Sequence, residues 1–279
     1  MKYLVTGHEG FIGKALFKKL QKITSVNDAV IGYDDNSFSF YGKPLFFKLH
    51  KFLYDQKPDV IFHVGACSDT QEQDINKMMQ LNLEATNILI EYCRLHGATM
   101  IYSSSAACYG THVLPNTLYG WSKYAGEKLT EAIGGVSLRY FNVYGHDESH
   151  KGKMASVAYQ AYNKSEFLLF PKNPKRDFIY INDVVSANIH ALENYDNLSG
   201  GVYDVGTCVP RSFEDIMDII GVNYKYHPES AIPENYQFET CANPVYLMKD
   251  WYAKYNLEQG MEEYLKILSS SSDNIHIAS

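Results

Sequence analysis

Hydrophobic and polar positions along this chain fall into short blocks that switch between strand-like runs and helical spacing. Tyr3-Leu4-Val5-Thr6 is a short apolar run, and Lys14-Ala15-Leu16-Phe17 opens a helix after it. Ala29-Val30-Ile31-Gly32-Tyr33 reads as a second strand, Leu45 to Tyr54 as an amphipathic helix, and Val60 to Val64 as a buried strand. Asp74 to Cys93 predicts a long helix with apolar cover from Met78, Met79, Leu81 and Leu83. Met100-Ile101-Tyr102 is another strand, followed by a helix carrying Tyr119 and then by the run Val136 to Phe141. Strand and helix in alternation predict parallel βαβ units, hence an α/β fold on a doubly wound parallel sheet. After about residue 143 the alternation weakens, which predicts a smaller, mixed α/β C-terminal lobe. Ser212-Phe213-Glu214-Asp215 opens a capped helix that Gly221 ends, and the serine run from Ser269 to Asn274 reads as frayed. The expected division is 1–145, with returning segments near 177–207, for the sheet domain. The lobe takes 146–176 and 208–268, and the tail 269–279.

Composition narrows the classes. A chain of 279 residues can bury a substantial core, and 46% hydrophobic with 20% charged residues is ordinary for a soluble protein. A net charge of −7 argues against a nucleic-acid partner, which needs clustered Lys and Arg. No apolar stretch is long enough to span a bilayer, so no membrane partner is expected. Cys67, Cys93, Cys108, Cys208 and Cys241 are scattered with no Cys-x-x-Cys pair, which fits reduced thiols in a cytoplasmic protein and no metal site.

Chemistry enters at the end of the first strand. Gly7-His8-Glu9-Gly10-Phe11-Ile12-Gly13 places a glycine turn between a strand and a helix start, the arrangement of a Rossmann dinucleotide site. There the backbone can approach a pyrophosphate, whose charge is favoured at a helix N-terminus. Glu9 would repel a pyrophosphate and is expected to point outward. After the second strand come Asp34-Asp35-Asn36, where a carboxylate accepts hydrogen bonds from the ribose hydroxyls of the adenosine half. These residues favour NAD over NADP, a preference that Lys43 or Lys48 could reverse by folding back. The blander reading, that one of Asp34 and Asp35 only solvates a turn, stands beside it.

Tyr119 and Lys123 lie at i and i+4 on a helix, so both project from one face. An ammonium beside a phenol favours the phenolate, a base able to take a proton from a sugar hydroxyl. Ser103-Ser104-Ser105 precedes them and can supply a hydroxyl from a separate strand end. The spacing recurs at Tyr124 and Lys128, which read as helix surface. Basic residues gather after residue 143, at Lys151, Lys153, Lys164, Lys172, Lys175 and Arg176, where a diphosphate ligand is expected. Lys153 and Lys164 read as solvated.

With these motifs in place, the chain resembles the extended short-chain dehydrogenase/reductases of the NAD-dependent epimerase/dehydratase family that act on nucleotide sugars. Within them it looks most like the ADP-L-glycero-D-manno-heptose 6-epimerases. The residues behind the narrower likeness are Ile61 to Ser68, Arg139 to Gly145, His150-Lys151-Gly152, Met154 to Ala158 and Lys175 to Tyr180. The resemblance implies a tightly bound NAD(P), with NADP favoured by the family, and a nucleotide-diphosphate sugar as substrate. It implies Ser105 as hydroxyl partner, Tyr119 as base, Lys123 as its activator on the nicotinamide ribose, and Lys151 as a second acid/base. Cofactor contacts would come from Gly7, Gly10, Phe11, Ile12, Gly13, Asp34, Asp35, Asn36, Ala66, Asn82 and Ser103. Substrate contacts would come from Ser68, Ser105, Asn142, Lys151, Met154, Arg176 and Tyr236, and the assembly would be a homo-oligomer. The nearest rival is a UDP-hexose 4-epimerase, which shares Ser105, Tyr119 and Lys123 but does not need Lys151. A 4,6-dehydratase fits less well, because Ser105-Ala106-Ala107 stands where those enzymes resemble Thr-Asp-Glu. A nucleotide-sugar reductase and a non-catalytic NAD(P)-sensing binding protein are the remaining alternatives.

Overall fold

A computed structural model of the chain describes residues 1–34, 43–110, 114–233 and 236–276. The chain divides into two compact units, Met1–Tyr140 with Val185–Asp204, and Phe141–Val184 with Val205–Ser279.

In the first unit the strands are β1 (Lys2–Thr6), β2 (Ala29–Tyr33), β3 (Val60–His63), β4 (Thr99–Ser105) and β5 (Val136–Tyr140). They are mutually parallel, in the order β5-β4-β3-β1-β2, and Val202–Val205 adds a sixth strand beside β5. Helices α1 (Phe11–Ile23), α2 (Lys43–Gln56), α4 (Ala85–His96) and α5 (Leu118–Ala132) connect them, with the single turn α3 (Ile75–Met78) ahead of α4. All four residues of β3 are buried, as a strand covered on both faces requires. Leu4, Leu49, Leu53, Ile61, Leu89, Met100 and Tyr102 form one core cluster from β1, α2, β3, α4 and β4. This is the doubly wound sheet that the strand–helix alternation predicts.

The expected helix from Asp74 to Cys93 is not uniform. Between α3 and α4 the chain takes a π-helical turn, Met79–Glu84. Such bulges concentrate at functional sites because they re-aim one side chain, and here the buried residue of the turn is Asn82.

The second unit is built from small pieces. Asn142–Tyr144 pairs parallel with Phe178–Tyr180, Glu166–Leu169 with Asn223–Tyr226, and Lys175–Arg176 lies between Arg211–Ser212 and Glu239–Thr240. The helix Phe213–Ile220 carries the expected capping box, Ser212 with Asp215, and ends on Gly221 at φ +72°. The C-terminal helix runs Leu257–His276, through serines that the sequence reads as frayed. Ser269 and Ser270 donate back to the carbonyls of Lys266 and Ile267, which gives their hydroxyls partners within the helix. Among the described residues no helix is long and apolar enough to cross a membrane.

Candidate active site

The glycine turn is packed backbone against backbone. Gly7 has φ +66°, and a Cβ there would lie 2.6 Å from the Cα of Gly65. A Cβ at Gly13 would lie 2.0 Å from the Gly7 carbonyl oxygen. Gly10 is the N-cap of α1 and puts no side chain over the helix N-terminus. The loop therefore presents a bare backbone cradle at the positive end of a helix dipole, which suits a pyrophosphate. Glu9 is exposed, as expected, and its amide donates to the Asp34 carboxylate at 3.2 Å. Phe11 is buried under the turn and Ile12 half-buried. Asp35 and Asn36 lie outside the described residues.

Beneath the cradle runs a chain of hydrogen bonds that the sequence reading did not anticipate. The Gly65 amide donates to Thr6 Oγ1 at 3.1 Å, Thr6 Oγ1 meets His63 Nδ1 at 2.8 Å, and His63 Nε2 meets Thr86 Oγ1 at 2.8 Å. The Thr86 hydroxyl donates to the Asn82 carbonyl. Because that bond takes the only Thr86 hydroxyl hydrogen, His63 must donate from Nε2, which leaves Nδ1 to accept from Thr6. His63 is thus a neutral imidazole of one tautomer. Burial, and then the charge of Lys123, hold its pKa down at about 3.

Asn82 turns its amide onto the loop after β3. Its Oδ1 accepts from the Cys67 amide at 2.7 Å, and its Nδ2 donates to the Cys67 carbonyl at 3.1 Å and to Ser122 Oγ at 2.9 Å. Ala66 is thereby held half-buried, and Ser68 stands exposed just beyond. Asn82 reaches α5 through its side chain; none of its own surface is open, at 1% exposure.

Ser105, Tyr119 and Lys123 come together where β4 ends and α5 begins. Thr117 caps α5 by accepting from the Gly120 amide at 3.0 Å. Gly120 lets the helix close on the turn after β4, since a Cβ there would lie 2.6 Å from the Ala107 carbonyl oxygen. Ser105 is half-buried, accepts from the Ala107 amide at 3.2 Å and hydrogen-bonds the Tyr119 phenol. Lys123, 3% exposed, donates to the Ser103 carbonyl at 2.8 Å and lies 4.9 Å from the centre of the Tyr102 ring.

The electrostatics differ from the sequence expectation. Burial pushes the Tyr119 phenol up to about 12, against the bond from Ser105, which pulls it down. Burial also brings Lys123 down to about 8, against the opposing effect of the Glu127 carboxylate. The ammonium is tied to a backbone carbonyl, and desolvation is the leading effect on both groups. Ser103 keeps its hydroxyl in the core, 2.9 Å from the Tyr140 hydroxyl, which in turn bonds Asn188. What it offers the site is its carbonyl.

A second buried group missed in the sequence is Glu127, one helical turn beyond Lys123. It holds Arg139 by two bonds, 2.7 Å to Nε and 2.8 Å to Nη2, and accepts from Ser104 Oγ at 2.5 Å. The Arg139 guanidinium lies 4.5 Å from the Tyr109 ring centre, and the Tyr109 hydroxyl donates to Asp204 at 2.7 Å. This clamp braces the serine triplet and the turn after it. An acid at helix spacing from the apolar positions carried no sign of it. Lys128, by contrast, is exposed and paired with Glu131 at 2.7 Å, as the surface reading of Tyr124 and Lys128 expects.

The other expected residues belong to the second unit. Asn142 is exposed and accepts from the Thr240 hydroxyl at 3.4 Å. Arg176 is half-buried, 5.1 Å from the Tyr236 ring centre and 5.6 Å from that of Phe213, and burial lowers its pKa against the opposing effect of Tyr236. Tyr236 also packs edge-on to Phe170 and Phe238. Lys151 and Met154 lie on the 3₁₀ turn Ser149–Met154, both half-buried. Burial lowers the Lys151 pKa and the Glu148 carboxylate raises it. Lys153 and Lys164 are exposed. Among the described residues no three His, Cys, Asp or Glu side chains gather as a metal site requires.

Residues 3–206 match the model of the NAD dependent epimerase/dehydratase family. The chain is 32% identical to the ADP-L-glycero-D-manno-heptose-6-epimerase of Brachyspira hyodysenteriae, over 96% of this chain and 98% of that one. Among solved structures it is similar to the ADP-L-glycero-D-manno-heptose-6-epimerase of Helicobacter pylori, with a TM-score of 0.80, 28% identity and 96% of each chain covered. The UDP-glucose 4-epimerase of Thermotoga maritima superposes with a TM-score of 0.82 over 97% of this chain and 99% of that one; at 23% identity it speaks to the fold alone.

Proposed function

The chain belongs to the NAD dependent epimerase/dehydratase family, and we propose that within it the protein inverts carbon 6 of a nucleotide-diphosphate heptose. The observation that carries this reading is the meeting of Ser105 with Tyr119 at the end of β4, with Lys123 buried on the same helix. A nicotinamide nucleotide, when bound, would supply the hydride chemistry of the oxidation and re-reduction. Gly7, Gly10, Phe11, Ile12, Gly13, Asp34, Ala66 and Lys123 would hold that cofactor; Asn82, expected as a further contact, is buried and instead holds the Cys67 backbone beside Ala66. The Asp34 carboxylate supports NAD over NADP, since it would repel a 2′-phosphate.

Ser105 and Tyr119 hold the sugar hydroxyl between them. Tyr119 takes its proton as the carbon becomes a carbonyl, and Ser105 keeps the oxygen oriented while the proton leaves. Lys123, fixed by the Ser103 carbonyl, keeps a cation near the phenol and so favours proton loss from it. After the intermediate has turned, its oxygen faces a different group, and Lys151 gives the proton there. Two acid/base groups are required because the same oxygen is presented twice in opposite orientations. Asn142, Arg176 and Tyr236 would hold the diphosphate and nucleotide, which makes the second unit the substrate lobe. Ser68 and Met154 would line the sugar.

The test is to incubate the purified protein, without added cofactor, with ADP-heptose, GDP-heptose and UDP-glucose, and to read the sugar stereochemistry by NMR. Inversion at carbon 6 is expected. Inversion at carbon 4 instead would transfer the assignment to the hexose epimerases and leave Lys151 as a diphosphate ligand.

A further inference from the structure

Glu148 lies three residues before Lys151 and is 1% exposed. Its Oε1 accepts from the Tyr264 hydroxyl at 2.8 Å, from Ser156 Oγ at 2.6 Å and from the Gly145 amide at 3.4 Å. Its Oε2 accepts from the Ser156 amide at 2.5 Å, and its carbonyl accepts from the Lys151 amide at 3.0 Å. One carboxylate thus ties both ends of the 145–156 segment together and fastens them to the C-terminal helix. Between those ends the chain reverses at Gly152, φ +54°, whose carbonyl accepts from the Ala155 amide at 3.2 Å.

Packing does little to hold the middle of this segment. It borders an open groove of about 760 Å³ lined by His146, Asp147, Tyr159 and Tyr162 as well as Glu148 and Tyr264. No buried hydrophobic residue lies within the turn Ser149–Met154 itself. A buried carboxylate is costly unless its lone pairs are met. Here neutral donors meet them, so the geometry of the turn depends on this one group. The charge also reaches Lys151, where it opposes the effect of burial.

We propose that Glu148 is the positioning residue of Lys151, fixing the turn that aims the Lys151 ammonium by stapling both ends of that turn to Tyr264. The proposal rests on the reading of Lys151 as the second acid/base.

The test is a double-mutant cycle in the full-length holoenzyme with ADP-D-glycero-D-manno-heptose as substrate. Glu148→Gln is expected to lower kcat about 10- to 100-fold, the usual effect of a catalytic group misplaced by an ångström, with KM held within about twofold. In a Lys151→Ala background the same substitution should cost less than about twofold, because a residue that acts only through Lys151 has nothing left to position. Glu148→Asp should recover part of kcat. Tyr264→Phe, a milder change, should lower kcat in the same sense and carries the cycle if Glu148→Gln does not fold. Equal losses in both backgrounds would overturn the proposal, since they indicate a merely structural role. So would unchanged kcat in both Glu148→Gln and Tyr264→Phe while Lys151→Ala is impaired. If Lys151→Ala alone turned over like the wild type, the reading of Lys151 would fail first, and the proposal with it.

Discussion

His63 offers a sharp thermodynamic test of the buried hydrogen-bond chain under the glycine turn. In the folded protein it is neutral, with a pKa of about 3 against 6.5 for the free side chain. A base with a depressed folded-state pKa contributes its full stability above its unfolded value, and that contribution is lost as pH falls towards the folded one. Below pH 6.5 the unfolded chain takes up a proton that the folded chain refuses. Each pH unit in that window then removes about 1.4 kcal/mol, or about 2 kcal/mol between pH 7.5 and pH 5. The perturbation is His63→Asn, which abolishes the titration. The assay is urea unfolding followed by circular dichroism at several pH values. Other titrating groups are shared by both proteins, so the wild-type minus variant difference isolates His63. That difference should shrink by about 2 kcal/mol across the window. A difference that stays constant would show that His63 titrates alike in both states, and the deduced tautomer chain from Thr6 to Asn82 would be wrong.

Four further outcomes are expected. Tyr119→Phe should lower kcat about a thousandfold or more, in line with loss of a general base, with an unchanged melting temperature by differential scanning fluorimetry; Lys151→Ala should do nearly as much harm. Gly13→Ala, whose methyl would sit 2.0 Å from the Gly7 carbonyl oxygen, should abolish co-purification of nicotinamide nucleotide, read by mass spectrometry of the denatured protein; retention of a full equivalent would mean the loop is not the cradle. Glu127→Gln leaves the largely buried Arg139 charge without its carboxylate partner and should cost about 3 kcal/mol or more in urea unfolding. A loss under about 1 kcal/mol would mean that water reaches the pair and the clamp is no brace.

The strands, the glycine turn and the meeting of Ser105 with Tyr119 were legible because each is written locally. A four-residue apolar run, a G-x-x-G-x-x-G spacing and a tyrosine four residues from a lysine need no distant partner to be read. The π turn at Met79–Glu84 was not legible, since the insertion shifts the helical phase within a stretch already apolar on several faces. The Thr6–His63–Thr86 chain draws one residue from each of three elements, and Glu127 finds its partner in β5; no local pattern announces either. The upward push of burial on the Tyr119 phenol escaped the sequence for another reason. Spacing gives proximity, but it does not price the removal of both groups from water, and that term dominates in the folded protein.

The bond between Glu148 and Tyr264 joins residues 116 apart in the chain. Contacts of such separation form late, because the intervening loop must close before the bond can repay it. During synthesis the first unit's strands β1 to β5 and the Lys151 turn leave the ribosome long before Tyr264 does. At a pace of about 5–20 residues per second, the turn waits several seconds for its anchor. On the proposed reading, a nascent chain halted ahead of Tyr264 would hold a finished glycine turn and a loosely aimed Lys151. Binding and turnover would then be acquired at separate moments in the life of the molecule.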